Sequence, residues 1–293
     1  MTRRIRTTLA ALTWLVCTVP ALSADKPYEQ HQNIVYAEVH GVGLVLDVFT
    51  PTGKPNGLGL VDVASGGFSS DRGKIEDHRR AQVYDIFCKK GYCVFAVRPG
   101  SLSKFSLADM AKHMKQGVAW VKEHADQYKV DPDRLGIMGA SAGGHLASLH
   151  AVTADENTAV KAAGVFFPPT DFLTFRGEKI DADTDLKNVN EAVIKFVYPN
   201  GGGPASASEL VDKLTEISPA LLVSDKAPPF LIIHGDADPV VPLEQSEKLL
   251  AALQAAGVPA ELIVKKGGGH PWLTIPEEVQ IMADWFDKQL VEK

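Results

Sequence analysis

The sequence predicts an α/β protein with a mostly parallel, twisted central sheet flanked by helices, and three observations carry that expectation. Short apolar runs alternate with stretches of helical length and period along most of the 293 residues, which calls for crossover connections and parallel pairing. The run Ile137-Met138-Gly139-Ala140-Ser141-Ala142-Gly143-Gly144 takes an apolar strand end through Gly-x-Ser-x-Gly into a small-residue helix. Acid and base candidates for that serine then follow in order, each after a predicted strand.

The elements follow from local pattern. Asn33 to Val39 and Leu44 to Phe49, around His40-Gly41-Val42-Gly43, suggest an opening hairpin. Leu58 to Val63 reads as a third strand ending in Ala64-Ser65-Gly66-Gly67-Phe68, and Ile75 to Lys90 as one helix stopped by Gly91. Tyr92 to Val97 is a buried strand, rich in β-branched and aromatic residues. Leu107 to Tyr128 is a long helix with Ala111, Met114, Val118 and Val121 on one face. Leu135 to Met138 precedes the serine turn, and the helix after it runs to about Val152. The sixth strand is Val160 to Phe167. An irregular stretch, 168–226, follows that strand as a cap-like insertion. Regular alternation then resumes with strand Pro229 to Ile233, helix Leu243 to Ala256, strand Ala260 to Val264 and helix Ile275 to Leu290. The insertion leaves the sheet at the C-terminal ends of the strands, so it is expected to roof the crevice where ligands bind.

Arg3, Arg4 and Arg6, the apolar stretch Leu9 to Val19 and Pro20-Ala21-Leu22-Ser23-Ala24 have the layout of a secretory signal peptide, residues 1–24. The expected mature protein is a single domain, 25–293, that is secreted or periplasmic and has no stable membrane anchor. Cleavage would shift the formal charge from −6 to −9, since three arginines and no acid leave. Such acidity without a basic patch argues against nucleic acid as a partner. Cys17 leaves with the leader, and Val16 before it is a poor lipoprotein signal. Export would permit a bond between Cys88 and Cys93, though two separately buried thiols are expected. With no Cys-x-x-Cys pair and no His-Glu-x-x-His, the chain offers no support for a metal site, and the chemistry read here requires no cofactor.

Serine is a weak nucleophile that needs an oriented general base. Of nine histidines, His31, His40, His78, His113 and His124 are expected at the surface. His145 and His150 ride the helix after the serine, and His234 ends a strand in a structural role. His270 follows the last predicted strand and a Gly267-Gly268-Gly269 lead at the edge that carries Ser141, and is the base. The orienting acid belongs between them. Asp236 and Asp238 both lie in His234-Gly235-Asp236-Ala237-Asp238-Pro239; Asp236 suits a turn that accepts backbone N–H groups, and Asp238 is chosen. For the oxyanion, one donor is the N–H of Ala142 at the helix N-terminus. The other comes from Gly66 or Gly67, where glycine allows close backbone approach.

On Gly139-Ala140-Ser141-Ala142-Gly143-Gly144, Pro228-Pro229-Phe230-Leu231-Ile232-Ile233-His234-Gly235 with Asp238 and Val241-Pro242, and Gly269-His270, the chain resembles the bacterial α/β-hydrolases of the esterase/lipase type. It is similar to the feruloyl-esterase-like group and to the catalytic domains of prolyl-oligopeptidase-type peptidases. The resemblance implies the α/β-hydrolase fold, an acyl-enzyme mechanism, and Asp238 as the triad acid. Small-molecule or carbohydrate esters are the implied substrates. Related esterases carry His-Gly-Gly-Gly in the oxyanion loop, where this chain has Ala64-Ser65-Gly66-Gly67. The competing readings are a serine peptidase of the prolyl-oligopeptidase type and a non-catalytic binding protein on the same fold. Phe172, Phe175 and Tyr198 of the insertion could line a pocket or pack.

Overall fold

A computed structural model describes residues 26–291; the expected signal peptide lies outside the described residues. Eight strands form one sheet in the order β1-β2-β4-β3-β5-β6-β7-β8. β1 (Tyr28–Val39) and β2 (Val42–Pro51) make the opening antiparallel hairpin, longer than the sequence suggested. β2 also pairs antiparallel with β4 (Cys93–Arg98). From β4 onward the sheet is parallel, through β3 (Gly59–Val63), β5 (Leu135–Ala140), β6 (Ala162–Phe166), β7 (Phe230–Gly235) and β8 (Ala260–Lys265). The C-terminal ends of β3 to β8 therefore share one edge, and their loops build the site.

Each face of the sheet has its own core. One is filled by α3 (Leu107–Glu123), α4 (Ala142–Thr153) and α7 (Glu244–Ala255), with Met110, Met114, Val118, Leu146 and Leu249 buried against Val61, Phe95, Ile137 and Val165. The other packs α1 (Arg72–Arg80), α2 (Val83–Lys89) and α8 (Ile275–Val291) against Leu60, Val94, Met138 and Leu231. Strand residues alternate between the two cores because successive side chains leave opposite faces. Ala111, expected on the buried stripe of α3, is only half-buried.

Two long helices of the sequence reading are interrupted. The stretch 75–90 breaks between α1 and α2 at Gln82, which adopts φ 61°. His78 of α1 and Tyr84 of α2 both bond the buried Asp62 carboxylate of β3, at 2.7 Å and 3.0 Å. On an unbroken helix, side chains six residues apart would point about 120° away from each other, so the break is what lets both reach one carboxylate. The helix from Leu107 ends at Glu123, where the His124 ring donates from Nδ1 to the Trp120 carbonyl and stacks on the Trp120 ring. A 3-10 turn, Ala125–Tyr128, follows.

Within the insertion lie α5 (Glu191–Val197) and α6 (Ala207–Glu216). Its first residues are tied to α7 by Gln245, whose Oε1 accepts the N–H groups of Thr170 and Asp171, and by Lys248 paired with Asp171 at 3.2 Å. Phe172 is fully buried, packed against Phe68, His145 and Phe196. Of the three insertion aromatics, Phe172 is thus core. Phe175 packs on Phe172, and the Tyr198 hydroxyl is held by Glu209.

Cys88 and Cys93 are both free and buried, and burial pushes both thiols well above the ordinary range. No described helix is long and apolar enough to cross a membrane.

Candidate active site

The turn at Ser141 is made by the space around it. Ser141 sits between β5 and α4 with φ 54° and ψ −121°, a conformation that L-residues rarely hold and that neighbours must enforce. Its N–H donates to the Phe166 carbonyl on β6, and its own carbonyl accepts the His145 N–H. A Cβ at position 139 would lie 2.4 Å from the Gly143 carbonyl carbon, and one at 143 would lie 2.3 Å from the Val63 oxygen. The two glycines of Gly-x-Ser-x-Gly are therefore required by close backbone approach.

Asp238 and His270 come from loops after β7 and β8. A second close approach holds those loops together: a Cβ at 235 would meet the Gly268 oxygen at 2.2 Å, and Ala237 N–H donates to that same oxygen. Asp236 accepts the Gly267 N–H, the backbone role expected for it. Gly268 before His270 is thus at a packed crossing of two loops, where the sequence alone suggested a lead with freedom to bend.

These loops bring the three residues into a row. His270 Nε2 lies 2.8 Å from Ser141 Oγ, and His270 Nδ1 lies 2.6 Å from Asp238 Oδ2. The Asp238 side chain is fully buried, and its other oxygen accepts the N–H groups of Val240 and Val241 at 2.7 Å and 2.9 Å. His270 keeps 13% of its side chain exposed. The Asp238 contact makes Nδ1 the protonated nitrogen, which leaves the Nε2 lone pair facing the serine hydroxyl.

The surrounding groups stiffen this row. His234 is buried, donates from Nε2 to the Val241 carbonyl and accepts the Ser246 hydroxyl at Nδ1. Burial holds its pKa below the usual histidine range, so it braces the Asp238 turn as a neutral ring. The Phe167 ring packs on His270 with centroids 4.4 Å apart, from a backbone at φ 38°. Phe167 escaped the sequence reading; its signal was the Phe166-Phe167-Pro168-Pro169 run at a strand end.

The loop after β3 distinguishes between the two glycines offered as oxyanion donors. Gly66 and Ser69 exchange both backbone hydrogen bonds at 3.0 Å, around Gly67 and Phe68 at φ 56° and 57°. This is a two-residue turn of type I′, which needs positive φ at both central positions. The Gly66 N–H is occupied by that turn and is corrected as a donor. Among the described residues, the N–H groups of Gly67 and of Ala142, first in α4, donate no hydrogen bond. In place of a bracing histidine at position 64, Phe68 of this loop packs edge-on to His145 of α4.

Two of the histidines expected at the surface lie in the interior. His78 and His113 are buried, not superficial. His78 pairs with Asp62, and His113 accepts the Gly100 N–H. An aspartate inside the apolar strand 58–63 was the available signal for the first. His145 donates from Nδ1 to the Pro169 carbonyl while its Nε2 is buried without a partner; His150 Nε2 meets the Thr158 carbonyl. Burial pushes both pKa values down to about 4. Among the described residues, no group of three or more His, Cys, Asp or Glu is arranged to hold a metal ion.

A family model, BD-FAE, matches residues 46–253. This chain belongs to the BD-FAE family. It is 34% identical over 157 residues to the esterase LipQ of Mycobacterium tuberculosis, a match covering 49% of this chain and 34% of LipQ. The chain thus spans about a third of that curated relative's length. Among solved structures, a truncated carbohydrate esterase from gut microbiota superposes with TM-score 0.76 at 24% identity, covering 92% of this chain and 99% of its own. A bifunctional GH43-CE protein of Bacteroides eggerthii gives TM-score 0.75 at 26% identity, covering 89% of this chain and 35% of that one. The BD-FAE chain has the α/β-hydrolase fold of these structures.

Proposed function

We propose that this BD-FAE protein is a serine hydrolase that cleaves carboxylic esters through an acyl-enzyme. The observation that carries the reading is the hydrogen-bonded row Ser141–His270–Asp238 on three separate loops of one sheet edge. Ser141 Oγ attacks the ester carbonyl while His270 Nε2 takes its proton. Asp238 stabilises the imidazolium, which then returns the proton to the leaving alkoxide. The N–H groups of Ala142 and Gly67 hold the oxyanion, aided by the α4 dipole. Water, deprotonated by the same histidine, releases the acid. LipQ's description as an esterase supports the reaction class.

Small acyl or aryl esters, and acyl groups on carbohydrate, are the proposed substrates; the carbohydrate esterase among the structural neighbours supports the second. We further propose export to the periplasm or medium after cleavage near Ala24, supported by the arginine-led apolar stretch at the N-terminus. A panel of p-nitrophenyl esters, acetylated sugars and peptides, run beside Ser141→Ala, tests the activity. Hydrolysis of esters by the wild type alone, with labelling of Ser141 by a fluorophosphonate, is the expected outcome. Cleavage of peptides but not esters would support the peptidase reading, and refusal of both substrate and probe by folded protein the binding-protein reading.

A further inference from the structure

Beyond the serine, the same sheet edge carries a cavity of about 300 Å³ between the ends of β4 and β2. Arg98, Lys104, Ser70, Ser101, Ser103 and Phe105 line it together with the first residues of β2, and no carboxylate does. Arg98 ends β4, and its Nε is buried with no hydrogen-bond partner. The nearby Asp47 carboxylate is taken by Arg72, at 2.8 Å, while Arg98 reaches only the Asn33 side-chain oxygen at 3.3 Å. Among the described residues neither Arg98 nor Lys104 forms an ion pair; Lys104 Nζ meets the His40 carbonyl at 3.5 Å and lies 5.8 Å from the centroid of the Phe105 ring. The Ser101 hydroxyl accepts the Ser70 N–H and keeps its own proton to donate.

A buried guanidinium N–H without an acceptor is costly, and burial together with the like charge of Arg72 presses against the Arg98 charge. An anion in the cavity, which Arg98 lines, would offset the second of these by countering the charge. The protein as a whole is acidic and repels anions at long range, so the attraction is local to this cleft.

The cleft is also placed to act on a substrate. The oxyanion loop borders it: Leu102 N–H donates to the Phe68 carbonyl, and Ser70 N–H to Ser101. β4 lies two strands from β5, so the cleft is roughly 10 Å along the edge from Ser141.

We infer that this cleft binds a carboxylate carried by the substrate some distance from the ester, which makes acylated acidic saccharides the preferred substrate class. Arg98 and Lys104, which both line the cleft, supply the positive charge for the carboxylate, and the serine hydroxyls complete the shell. The inference rests on the ester-hydrolase reading for its kinetic form, but not for binding itself.

The test compares an acetylated oligogalacturonide with an acetylated neutral xylo-oligosaccharide of equal length. The expected KM is about tenfold lower for the acidic ester, the size of one charge-assisted contact. That ratio should fall toward one in Lys104→Gln, in Arg98→Gln, and in the wild type at high salt, which screens the exposed lysine. Lys104 is exposed, so its variant stays informative if Arg98→Gln fails to fold. A ratio of one in the wild type, or an unchanged ratio in Lys104→Gln, overturns the inference. Calorimetry of the unacetylated oligogalacturonide on Ser141→Ala reads the cleft without turnover. Binding there, weakened by Lys104→Gln, supports the cleft even if no ester is hydrolysed, and no binding overturns it whatever the esterase assay shows.

Discussion

Two of the aspartate–histidine pairs among the described residues have nearly the same geometry and opposite circumstances. In one, Asp238 meets His270 Nδ1 at 2.6 Å; in the other, Asp62 meets His78 Nδ1 at 2.7 Å. Both carboxylates are fully buried. The first histidine spends its other nitrogen on a serine hydroxyl held at a strained turn. The second pair sits under α1 and α2 on the far face of β3, where Asp62 also takes the Tyr84 hydroxyl. The contact between acid and imidazole is thus no sign of catalysis by itself. The serine hydroxyl on Nε2 is what separates the two.

That contrast sets the expected effects. The largest belongs to Ser141→Ala, which should lower ester turnover on the order of 10⁴-fold or more while leaving the unfolding transition nearly in place. Asp238→Asn should cost about 10⁴-fold in kcat, because the imidazole would present the wrong tautomer to the serine. Comparable kcat values for Asp238→Asn and wild type would erase the distinction between the pairs. His78→Ala reverses the pattern: turnover per folded molecule is retained, while stability drops by about 3 kcal/mol as Asp62 loses its partner in the interior. Urea titration beside the kinetic assay separates the two losses.

Protonation sharpens the comparison further. Burial opposes the charge on His78, but Asp62 outweighs it and raises the pKa above 6.5. The folded state then holds a proton that the unfolded chain releases, so this stabilisation is full below pH 6.5 and fades as pH rises through the folded value. His145 and His150, held down to about 4 by burial, behave oppositely. Their stabilisation is full above 6.5 and is lost as pH falls toward 4, on the order of 3 kcal/mol each. Thermal unfolding across pH 4–9 should show decline on both sides of 6.5, and His78→Gln should flatten only the alkaline side. The smallest effect is expected from Gly67→Ala, which places a Cβ at φ 56° and costs roughly 1–2 kcal/mol at that turn; stopped assays should show a modest fall in kcat with KM little changed.

Much of this arrangement was legible in the linear pattern, and the misses share a cause. Strand and helix order followed from apolar periodicity, and Gly139, Ser141 and Gly143 declared the turn because nothing larger fits there. His270 and Asp238 were found by position after predicted strands. What escaped depended on partners distant in sequence. The helix break at Gln82 answers to Asp62, sixteen or more residues away from His78 and Tyr84. The burial of His113 answers to Gly100, and the choice of Gly67 over Gly66 to a turn closed by Ser69.

The sequence by itself determined the parallel α/β scaffold, the strained serine turn and the identity of the acid and base candidates, since these depend on local periodicity and on the steric limits of glycine. Only the tertiary structure decided which histidines are charged partners, which amide is free to meet an oxyanion, and that Arg98 faces a cavity without a counter-ion. Those properties arise from groups brought together across the sheet, where burial makes an unpaired hydrogen bond or charge expensive and so dictates who must pair with whom.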